Sequence, residues 1–323
     1  MRKVLIAVTG MGNVGKRLLE LIQRKREIAA SRFDIELIIS GICDSSGAIL
    51  DANGINIDQA LAAKENKKSV CTMSSGIAGM KSAEFMQNVK AEILVELTPT
   101  NLKHGEPGLG AIRTALENGM HVVSANKGPL VLAFSELANL AELKNLSLLY
   151  SATVTGGLPT LNVGTRDLCI ADIHKIEGIM NGTTNYILTK MAEGQSYDDA
   201  LKKAQEIGMA ETDPSLDVDG WDAACKLVII ANAVLRRRTT LSDINVEGIS
   251  GVTIEQLQKA SSENQVIKLL AVAEKTAEDY RFSVRPTSIP RSHRLATISS
   301  GMMGVIYQTD INGQIFLCID EED

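Results

Sequence analysis

The chain has 323 residues, 45% of them apolar, so it is long enough to bury a large core and to form two domains. Its formal net charge of −6 argues against nucleic acid as the main partner, because proteins that bind phosphate backbones concentrate Lys and Arg. Its longest apolar run, residues 227–235, is far too short to span a bilayer, so we expect no membrane partner.

The first predicted strand runs into a glycine loop. Residues 4–8 are all apolar, as expected for a strand covered on both faces of a parallel sheet, and GMGNVG follows at 10–15. Residues 16–28 then carry apolar side chains at helical spacing, so the loop would open a helix whose N-terminus can hold a pyrophosphate. This order favours dinucleotide binding over a simple tight turn. The cofactor contacts expected from the loop are Gly10, Gly12, Asn13, Val14 and Gly15.

A second apolar stretch, residues 35–43, ends at Asp44. The carboxylate of Asp44 is expected to accept hydrogen bonds from the ribose hydroxyls of the adenosine. Ser45 and Ser46 follow, and no arginine stands there to meet a 2′-phosphate. We therefore favour NAD over NADP, with Asp44 and Ser45 as cofactor contacts.

Two further buried strands are predicted to end at Thr98 and Lys127, separated by a helix over residues 108–119 in which Gly119 suits the C′ position. In an open α/β sheet the carboxyl ends of the strands line the ligand crevice. Cofactor contacts are therefore expected from Thr98, Pro99, Ser124 and Lys127, although Lys127 alone would also fit an ordinary surface lysine. The alternation of strand and helix predicts an α/β fold with a Rossmann-type doubly wound parallel sheet over residues 1–145.

A second domain is predicted over residues 146–323, where the alternating pattern ends. A strand within residues 174–180 is followed by NGTTN at 181–185, whose hydroxyl and backbone groups are able to wrap a ligand. A turn that caps the next helix explains the same residues equally well. Both interpretations stay open at this point.

The stretch ETDPSLDVDGWDAACKL, residues 211–227, places five acids ahead of Lys226. A calcium loop is excluded, because its template would put Ser215 first and Lys226 last, where a bidentate glutamate is needed. A solvated loop accounts for residues 213–219. It does not account for Asp222 and Lys226, which lie four residues apart in a helix whose apolar residues predict burial. On a buried helix this pair is expected to hold and exchange a proton, with Glu211 holding a substrate ammonium or hydroxyl.

Six stretches follow one another in an order that resembles the homoserine dehydrogenase family: GMGNVG, VELTPTN, HVVSANKG, YSATVTGGLPT, NGTTNYIL and ETDPSLDVDGWDAACKL. The resemblance covers roughly residues 4–235. It implies an NAD(P)-dependent oxidoreductase that interconverts L-homoserine and L-aspartate 4-semialdehyde, in the pathway that supplies threonine, methionine and isoleucine. The second domain would be of the α+β class and would carry substrate binding, catalysis and dimerisation, so a homodimer is expected.

The resemblance also implies roles for single residues. Lys226 would donate or accept the proton, with Asp222 orienting it, and Lys127 would be a second candidate, between the nicotinamide and the substrate oxygen. Substrate contacts are expected from Glu211, Gly182, Thr183 and Asp217. Two alternatives stay open: a related dehydrogenase of another small hydroxy or amino acid, and a non-catalytic NAD(P)-binding regulator.

The sequence departs from the family pattern in two places. Ser151 stands where relatives often have a glutamate ligand for a monovalent cation, so weak cation binding at most is expected, at the backbone carbonyls of Val154, Gly156 and Leu158. Residues 293–320 predict strands of a hairpin type with Asn312 and Gly313 in a type I′ turn, and the sequence then ends in CIDEED. We therefore expect neither the glycine-rich loop and final helix that cover the cofactor in relatives nor a regulatory domain. A C-terminal segment that packs back on the first domain is a further expectation.

The five cysteines form no CxxC pair, and the four histidines show no spacing typical of zinc ligands. This pattern is typical of the reducing cytoplasm, where we expect the protein to act. It also predicts chemistry that does not depend on a bound transition metal.

Overall fold

The computed structural model describes residues 1–320, and the chain divides into two compact units, Met1–Tyr150 and Ser151–Asp323. The strands of the first unit are β1 (Arg2–Thr9), β2 (Ile35–Asp44), β3 (Gly47–Leu50), β4 (Gly76–Ala78), β5 (Ile93–Glu96), β6 (His121–Ser124) and β7 (Leu148–Leu149). Its helices are α1 (Asn13–Arg24), α2 (Arg26–Phe33), α3 (Ile57–Glu65), α4 (Ser82–Asn88), α5 (Gly108–Glu117) and α6 (Lys127–Leu143).

The strands of the second unit are β8 (Ile173–Ile179), β9 (Ile244–Val246), β10 (Gln265–Lys275), β11 (Tyr280–Pro290), β12 (Met303–Thr309) and β13 (Gly313–Ile319). Its helices are α7 (Thr160–Asn162), α8 (Gly182–Ala192), α9 (Tyr197–Glu206), α10 (Ser215–Val218), α11 (Trp221–Ala233) and α12 (Ile254–Ser262). Among the helices of residues 1–320, none combines the length and the apolar character that crossing a bilayer requires.

The first unit is built on a seven-stranded sheet in the order β4-β3-β2-β1-β5-β6-β7. The five strands from β2 to β7 in this order run parallel, whereas β3 and β4 extend the β2 edge as antiparallel strands. The second half of β1 is buried on both faces, as its unbroken apolar sequence predicts. The predicted Rossmann-type sheet is therefore confirmed, and the carboxyl ends of β1, β5 and β6 lie side by side.

The end of β6 differs from the sequence prediction. The strand stops at Ser124, and Lys127 is the first residue of α6 instead of the last residue of a strand. The reason is Asn126, whose side chain accepts a hydrogen bond from the backbone N–H of Gly128 and so starts the helix. Before β6, Gly119 follows α5 with a φ of +82°, as predicted for a residue at C′.

The second unit is built on a six-stranded sheet in the order β13-β12-β8-β10-β11-β9. Its pairs are antiparallel except for β9 beside β11. Helix α11 packs against β10 and β11, and residues 222–231 of this helix are all buried. The burial predicted from its apolar sequence is confirmed, so its two charged residues, Asp222 and Lys226, lie inside the unit.

Strands β12 and β13 form the hairpin predicted for the tail, but its turn is different. Thr309 pairs with Gly313, so the loop has three residues, and Asn312 is not among the residues with a positive φ. A type I′ turn would need positive φ at both Asn312 and Gly313, so that prediction is wrong. The hydroxyl of Thr309 accepts a hydrogen bond from the backbone N–H of Asn312 at 3.0 Å, which favours the longer loop. Residues 321–323, part of the CIDEED end, lie outside the described residues.

Candidate active site

The glycine loop of the first unit joins β1 to α1. Gly10 has a φ of +95°, and a Cβ there would lie 2.5 Å from the carbonyl group of Leu97. A Cβ on Gly15 would lie 2.3 Å from the carbonyl oxygen of Gly10, so this glycine lets the helix approach the loop. At Gly12, by contrast, a Cβ would meet nothing within 4 Å. Two glycines are thus needed for the fold, while the third leaves open space in front of the helix.

That open space lies at the N-terminus of α1. Gly12 is the N-cap residue and provides no side-chain hydrogen bond, so the backbone N–H groups of the first turn remain available as donors. Asn13 and Val14 begin the helix and are exposed. A pyrophosphate fits this arrangement, because N–H groups and the helix dipole both favour an anion and no Cβ blocks the approach.

Asp44, at the end of β2, is held by protein donors instead of facing solvent. Its side chain is only 5% exposed. The four groups that donate to its two oxygens are Lys64 Nζ at 3.0 Å, Ser69 Oγ at 2.7 Å, and the backbone N–H groups of Ser46 at 2.9 Å and Val70 at 3.1 Å. Burial alone would raise the pKa of Asp44, but these hydrogen bonds together hold it below its ordinary value. Ribose hydroxyls could reach this carboxylate only by displacing a donor already present.

The ends of β5 and β6 are joined by Asn126. Its Nδ2 donates to Thr98 Oγ1 at 3.2 Å and lies 3.5 Å from the carbonyl oxygen of Pro99. Its backbone N–H donates to Ser124 Oγ at 3.1 Å. The structure therefore brings Thr98, Pro99 and Ser124 together, and half-buried Lys127 follows at the first position of α6. Ser45 stands apart from this group, exposed in the turn between β2 and β3.

The second unit carries a buried polar cluster where α8, α10 and α11 meet. Asn181, the N-cap residue of α8, accepts a hydrogen bond from Thr184 N at 2.8 Å with its amide oxygen. Its Nδ2 donates to Asp217 Oδ1 at 2.7 Å and to Asp222 Oδ2 at 2.9 Å. The capping interpretation of NGTTN is therefore confirmed, since Asn181 caps α8 with its amide oxygen while its Nδ2 binds two carboxylates of the protein. The ligand interpretation stays a prediction.

Lys226 completes this cluster one turn along α11. Its Nζ lies 2.8 Å from Asp222 Oδ2 and donates to the backbone oxygen of Met180 at 2.5 Å. An ammonium has three N–H groups, so two serve these contacts and one remains to meet another acceptor. Asp222 and Lys226 are 5% and 9% exposed, so their interaction is shielded from water much more than a surface ion pair.

The remaining predicted substrate contacts, Thr183, Gly182 and Glu211, differ in their burial and in their partners. Thr183 is buried and its hydroxyl donates to the backbone oxygen of Met209 at 2.9 Å. A Cβ on Gly182 would lie 2.6 Å from the backbone oxygen of Gly301, so this glycine permits a close approach of two chain segments. Glu211 is exposed between α9 and α10, and within residues 1–320 its side chain joins no hydrogen bond of the Asn181 cluster.

The segment proposed for a monovalent cation has two residues in the left-handed region, Thr155 at φ +54° and Gly156 at φ +55°. Two of its three candidate carbonyls already accept hydrogen bonds. The oxygen of Val154 accepts from Thr155 Oγ1 at 2.8 Å, and that of Leu158 accepts from Thr160 N at 2.7 Å. In residues 1–320, no cluster of three or more His, Cys, Asp or Glu side chains could hold a metal ion.

Two polar residues of these sites were missed at the sequence level. Glu96 is completely buried at the end of β5, and Lys268 in β10 is buried beside Asn185. The sequence held a signal for both, because each interrupts an apolar strand with a charged residue: ILVELT around Glu96 and VIKLLAV around Lys268. The part that Asn126 and Asn181 take in joining neighbouring elements depends on contacts that spacing does not reveal.

The chain is similar to proteins of known family over nearly its whole length. Residues 10–151 match the family model described as homoserine dehydrogenase, NAD binding domain, and residues 159–322 match the model described as homoserine dehydrogenase. A homoserine dehydrogenase of Methanocaldococcus jannaschii is 35% identical over 311 residues, which cover 96% of this chain and 91% of that protein.

Two further comparisons concern the cofactor. A protein of Pseudomonas canavaninivorans named NAD(+)-dependent homoserine dehydrogenase is 32% identical, with 96% of this chain and 89% of that protein covered. The solved structure of a hyperthermophilic archaeal homoserine dehydrogenase mutant in complex with NADPH is 28% identical, with a TM-score of 0.84. That comparison covers 98% of this chain and 91% of the other.

Proposed function

This chain belongs to the homoserine dehydrogenase family, and we propose that Lys226 is the residue that transfers the proton in its reaction. The enzyme interconverts L-homoserine and L-aspartate 4-semialdehyde with NAD(P). The observation that carries the assignment of Lys226 is the buried cluster in which Asp222 Oδ2 lies 2.8 Å from its Nζ and 2.9 Å from the amide of Asn181.

The nicotinamide cofactor supplies or accepts the hydride. What the protein must supply is a group that takes the hydroxyl proton when the alcohol is oxidised, and returns it when the aldehyde is reduced. Lys226 suits this task, because Asp222 and the backbone oxygen of Met180 occupy two positions around its Nζ. The third position is left for the substrate oxygen: in the neutral amine it is a lone pair that takes the hydroxyl proton, and in the ammonium it is the N–H that returns it. Asp222 orients Lys226 through the contact of 2.8 Å between Oδ2 and Nζ. Lys127 is the second candidate, as a donor that stabilises charge on the substrate oxygen.

The substrate also carries an ammonium group, which a carboxylate would recognise. Asp217 is half-buried and is connected to Asp222 through the amide of Asn181. We assign Asp217 to this contact, together with Glu211 from the loop before α10. Gly182 and Thr183, at the first turn of α8, would place backbone N–H groups near the substrate carboxylate.

The cofactor is proposed to be NAD in preference to NADP. The support is the open glycine loop and the absence of arginine among residues 44–46. Asp44 does not add to this preference in the way predicted from sequence, because four protein donors already occupy its oxygens. A monovalent cation at the carbonyls of Val154, Gly156 and Leu158 would bind weakly, since two of these oxygens accept hydrogen bonds.

We further propose a homodimer that forms through the sheet of the second unit. One face of this sheet has a cavity of about 520 Å³ whose lining mixes acids and bases, among them Lys175, Glu177, Glu274, Arg281 and Arg285. A twofold contact places the same surface on both partners, so a surface that carries both signs of charge can complement itself. The proposed setting is threonine and methionine biosynthesis in the cytoplasm.

The experiment that tests the reaction follows absorbance at 340 nm with L-homoserine and either NAD or NADP. We expect Lys226→Ala to lower kcat by about a hundredfold or more while the affinity for NAD stays near that of the wild type. The matched control is Lys202→Ala, which changes an exposed lysine of α9. Turnover of Lys226→Ala at the rate of the control would remove the proposed role of this lysine.

A further inference from the structure

A row of buried polar side chains crosses the sheet of the first unit at its carboxyl edge. Glu96 of β5 is the register neighbour of Thr9 in β1 and of Ser124 in β6. Register neighbours on adjacent strands project to the same face of a sheet, so these three side chains lie in one row. All three are at most 1% exposed. The residues directly before them in the three strands are Val8, Val95 and Val123, so the polar row interrupts an apolar part of the sheet.

Glu96 is a carboxyl group surrounded by neutral donors. Its Oε1 accepts hydrogen bonds from the backbone N–H of Thr98 at 2.8 Å and from the Thr98 hydroxyl, while its Oε2 lies 3.4 Å from Ser124 Oγ. Within residues 1–320 it forms no ion pair. Burial is the main cause that raises the pKa of Glu96, and the hydrogen bonds of Thr98, Asn126 and Ser124 offset it only in part.

Thr9 has a hydroxyl group without a partner. Its Oγ1 is the buried side-chain polar atom that, among residues 1–320, has no hydrogen-bond partner. An unsatisfied buried hydroxyl costs about 1–3 kcal/mol, so Thr9 Oγ1 is a donor held in reserve beside Glu96. A hydroxyl in this row can donate to Glu96 when the carboxyl group is ionised, which makes ionisation less costly at the moment it is needed.

We propose that the protonation state of Glu96 depends on the redox state of the bound nicotinamide. The carboxyl group is ionised when the oxidised cofactor is bound and protonated when the reduced cofactor is bound. The inference rests on the proposed use of NAD(P). The oxidised nicotinamide ring carries a positive charge and the reduced ring is neutral. In a doubly wound sheet the dinucleotide lies along the carboxyl ends of the strands, with its two halves on opposite sides of the first strand. The adenosine half would lie at the end of β2, and the nicotinamide half would therefore lie at the ends of β5 and β6.

The groups packed against Glu96 carry no charge that could change with pH. Thr9 of β1, Ser124 of β6, Gly108 of α5 and Asn126 before α6 are all uncharged. Among the charged or titratable residues near these elements are Cys43 of β2, which is the buried register neighbour of Thr9, and His104, Glu106 and Lys127. His104 and Glu106 are exposed ahead of α5, and Lys127 begins α6. Lys127→Met removes the charge of this lysine, so its contribution can be separated from that of Glu96.

The test measures cofactor binding in the absence of substrate, so that it stands apart from the assignment of homoserine. Dissociation constants of NAD+ and NADH are determined from about pH 5.5 to pH 9.5, and proton release on NAD+ binding is measured by calorimetry in buffers of different ionisation enthalpy. In the wild type the preference for NAD+ over NADH should grow at least about fivefold as pH rises, with protons released at the acid end. Glu96→Gln should remove both effects while still binding both cofactors.

The matched control is Glu92→Gln, directly before the first residue of β5, where the carboxylate is 39% exposed and pairs with Arg2. It should keep the response of the wild type, and in Lys127→Met the response that depends on Glu96 should remain. If Glu96→Gln does not fold, Thr9→Val serves instead, because it removes the reserve donor and should move the response to higher pH. A wild-type response in Glu96→Gln, or no proton release by the wild type, would overturn the proposal. If Thr9→Val leaves the pH response unchanged, the proposed role of Thr9 as a donor to ionised Glu96 is wrong.

Discussion

Asn181 and Asp222 are joined by a hydrogen bond of 2.9 Å, and the carboxylate oxygen that accepts it also lies 2.8 Å from Lys226 Nζ. The amide oxygen of Asn181 is at the same time the cap of α8, through Thr184 N at 2.8 Å. Asn181 cannot turn without losing this cap, so the start of α8 fixes the carboxylate that in turn fixes the lysine. The position of the proposed proton donor therefore depends on two helices and not on α11 alone.

Asp222→Asn should separate the charge of this carboxylate from its shape. The variant keeps the size of the side chain but leaves Lys226 without its anion, so we expect kcat to fall by about a hundredfold and the KM for homoserine to change less. Steady-state kinetics with both substrates checks this. Asp219→Asn changes an exposed acid three residues earlier and should stay within about twofold of the wild type. Equal kcat values in the two variants would contradict the role of Asp222.

Asp44→Asn should lower the stability of the first unit. Four donors hold the ionised carboxylate, and the loss of hydrogen bonds to a charged group costs about 2 kcal/mol. The pKa of Asp44 is lowered in the folded protein, so its contribution is present above the unfolded-state pKa and is lost as pH falls through the folded-state pKa. Calorimetry should show a lower melting temperature than that of the wild type at neutral pH, and this difference should become smaller at acid pH. Asp34→Asn, at an 83% exposed side chain, should show little difference at either pH.

Gly12→Ala and Gly10→Ala should fail in different ways. A methyl group at Gly12 meets nothing within 4 Å, so the folded protein should keep its melting temperature but lose affinity for NAD by about tenfold or more, because the methyl group fills the space in front of α1. A methyl group at Gly10 would meet the carbonyl of Leu97 at 2.5 Å with φ at +95°, so the fold itself should be destabilised. Thermal unfolding and NAD titration of both variants distinguish these outcomes. Normal NAD affinity in a folded Gly12→Ala would rule out the pyrophosphate site.

Local pattern predicted much of this structure, because a strand buried on both faces, a glycine loop and the spacing of Asp222 and Lys226 are each determined by neighbouring residues. Contacts between distant residues were not predictable in the same way. Asp44 meets Lys64 and Ser69 only because α3 and the residues after it return to the end of β2, and these hydrogen bonds occupy the carboxylate that the ribose was expected to use. The cap formed by Asn126 likewise moved Lys127 from the expected strand to a helix, since a single side-chain hydrogen bond decided where the helix begins.

Arg285→Glu should weaken the proposed homodimer. The residue lines the charged cavity on the sheet of the second unit, and a twofold contact would repeat the reversed charge on both partners. We expect the variant to shift from dimer to monomer at micromolar concentration, measured by sedimentation equilibrium. Arg32→Glu reverses an exposed charge in α2 of the first unit and should leave the dimer intact. If both variants sediment with the mass of a dimer, the interface does not include the charged cavity.

Lys268 should make the stability of the second unit rise at alkaline pH. Burial lowers the pKa of Lys268 to about 8 from 10.5, while its Nζ donates to Asn185 Oδ1 at 2.9 Å and to the backbone oxygen of Ile298 at 2.6 Å. Between these two pKa values the unfolded chain binds more protons than the folded one, so the free energy of unfolding increases with pH across this window. The full shift corresponds to roughly 3 kcal/mol.

The comparison with Lys268→Met isolates this contribution. The substitution leaves Asn185 and Ile298 without their donor, so its effect at a single pH mixes lost hydrogen bonds with the relief of a buried charge. The change with pH does not share this ambiguity, because only the lysine titrates. The free energy of unfolding is measured by chemical unfolding at about pH 7.5 and about pH 10. Between these two pH values it should increase by about 2–3 kcal/mol more in the wild type than in Lys268→Met. Parallel stability curves for the two proteins would mean that Lys268 keeps the pKa of an exposed lysine.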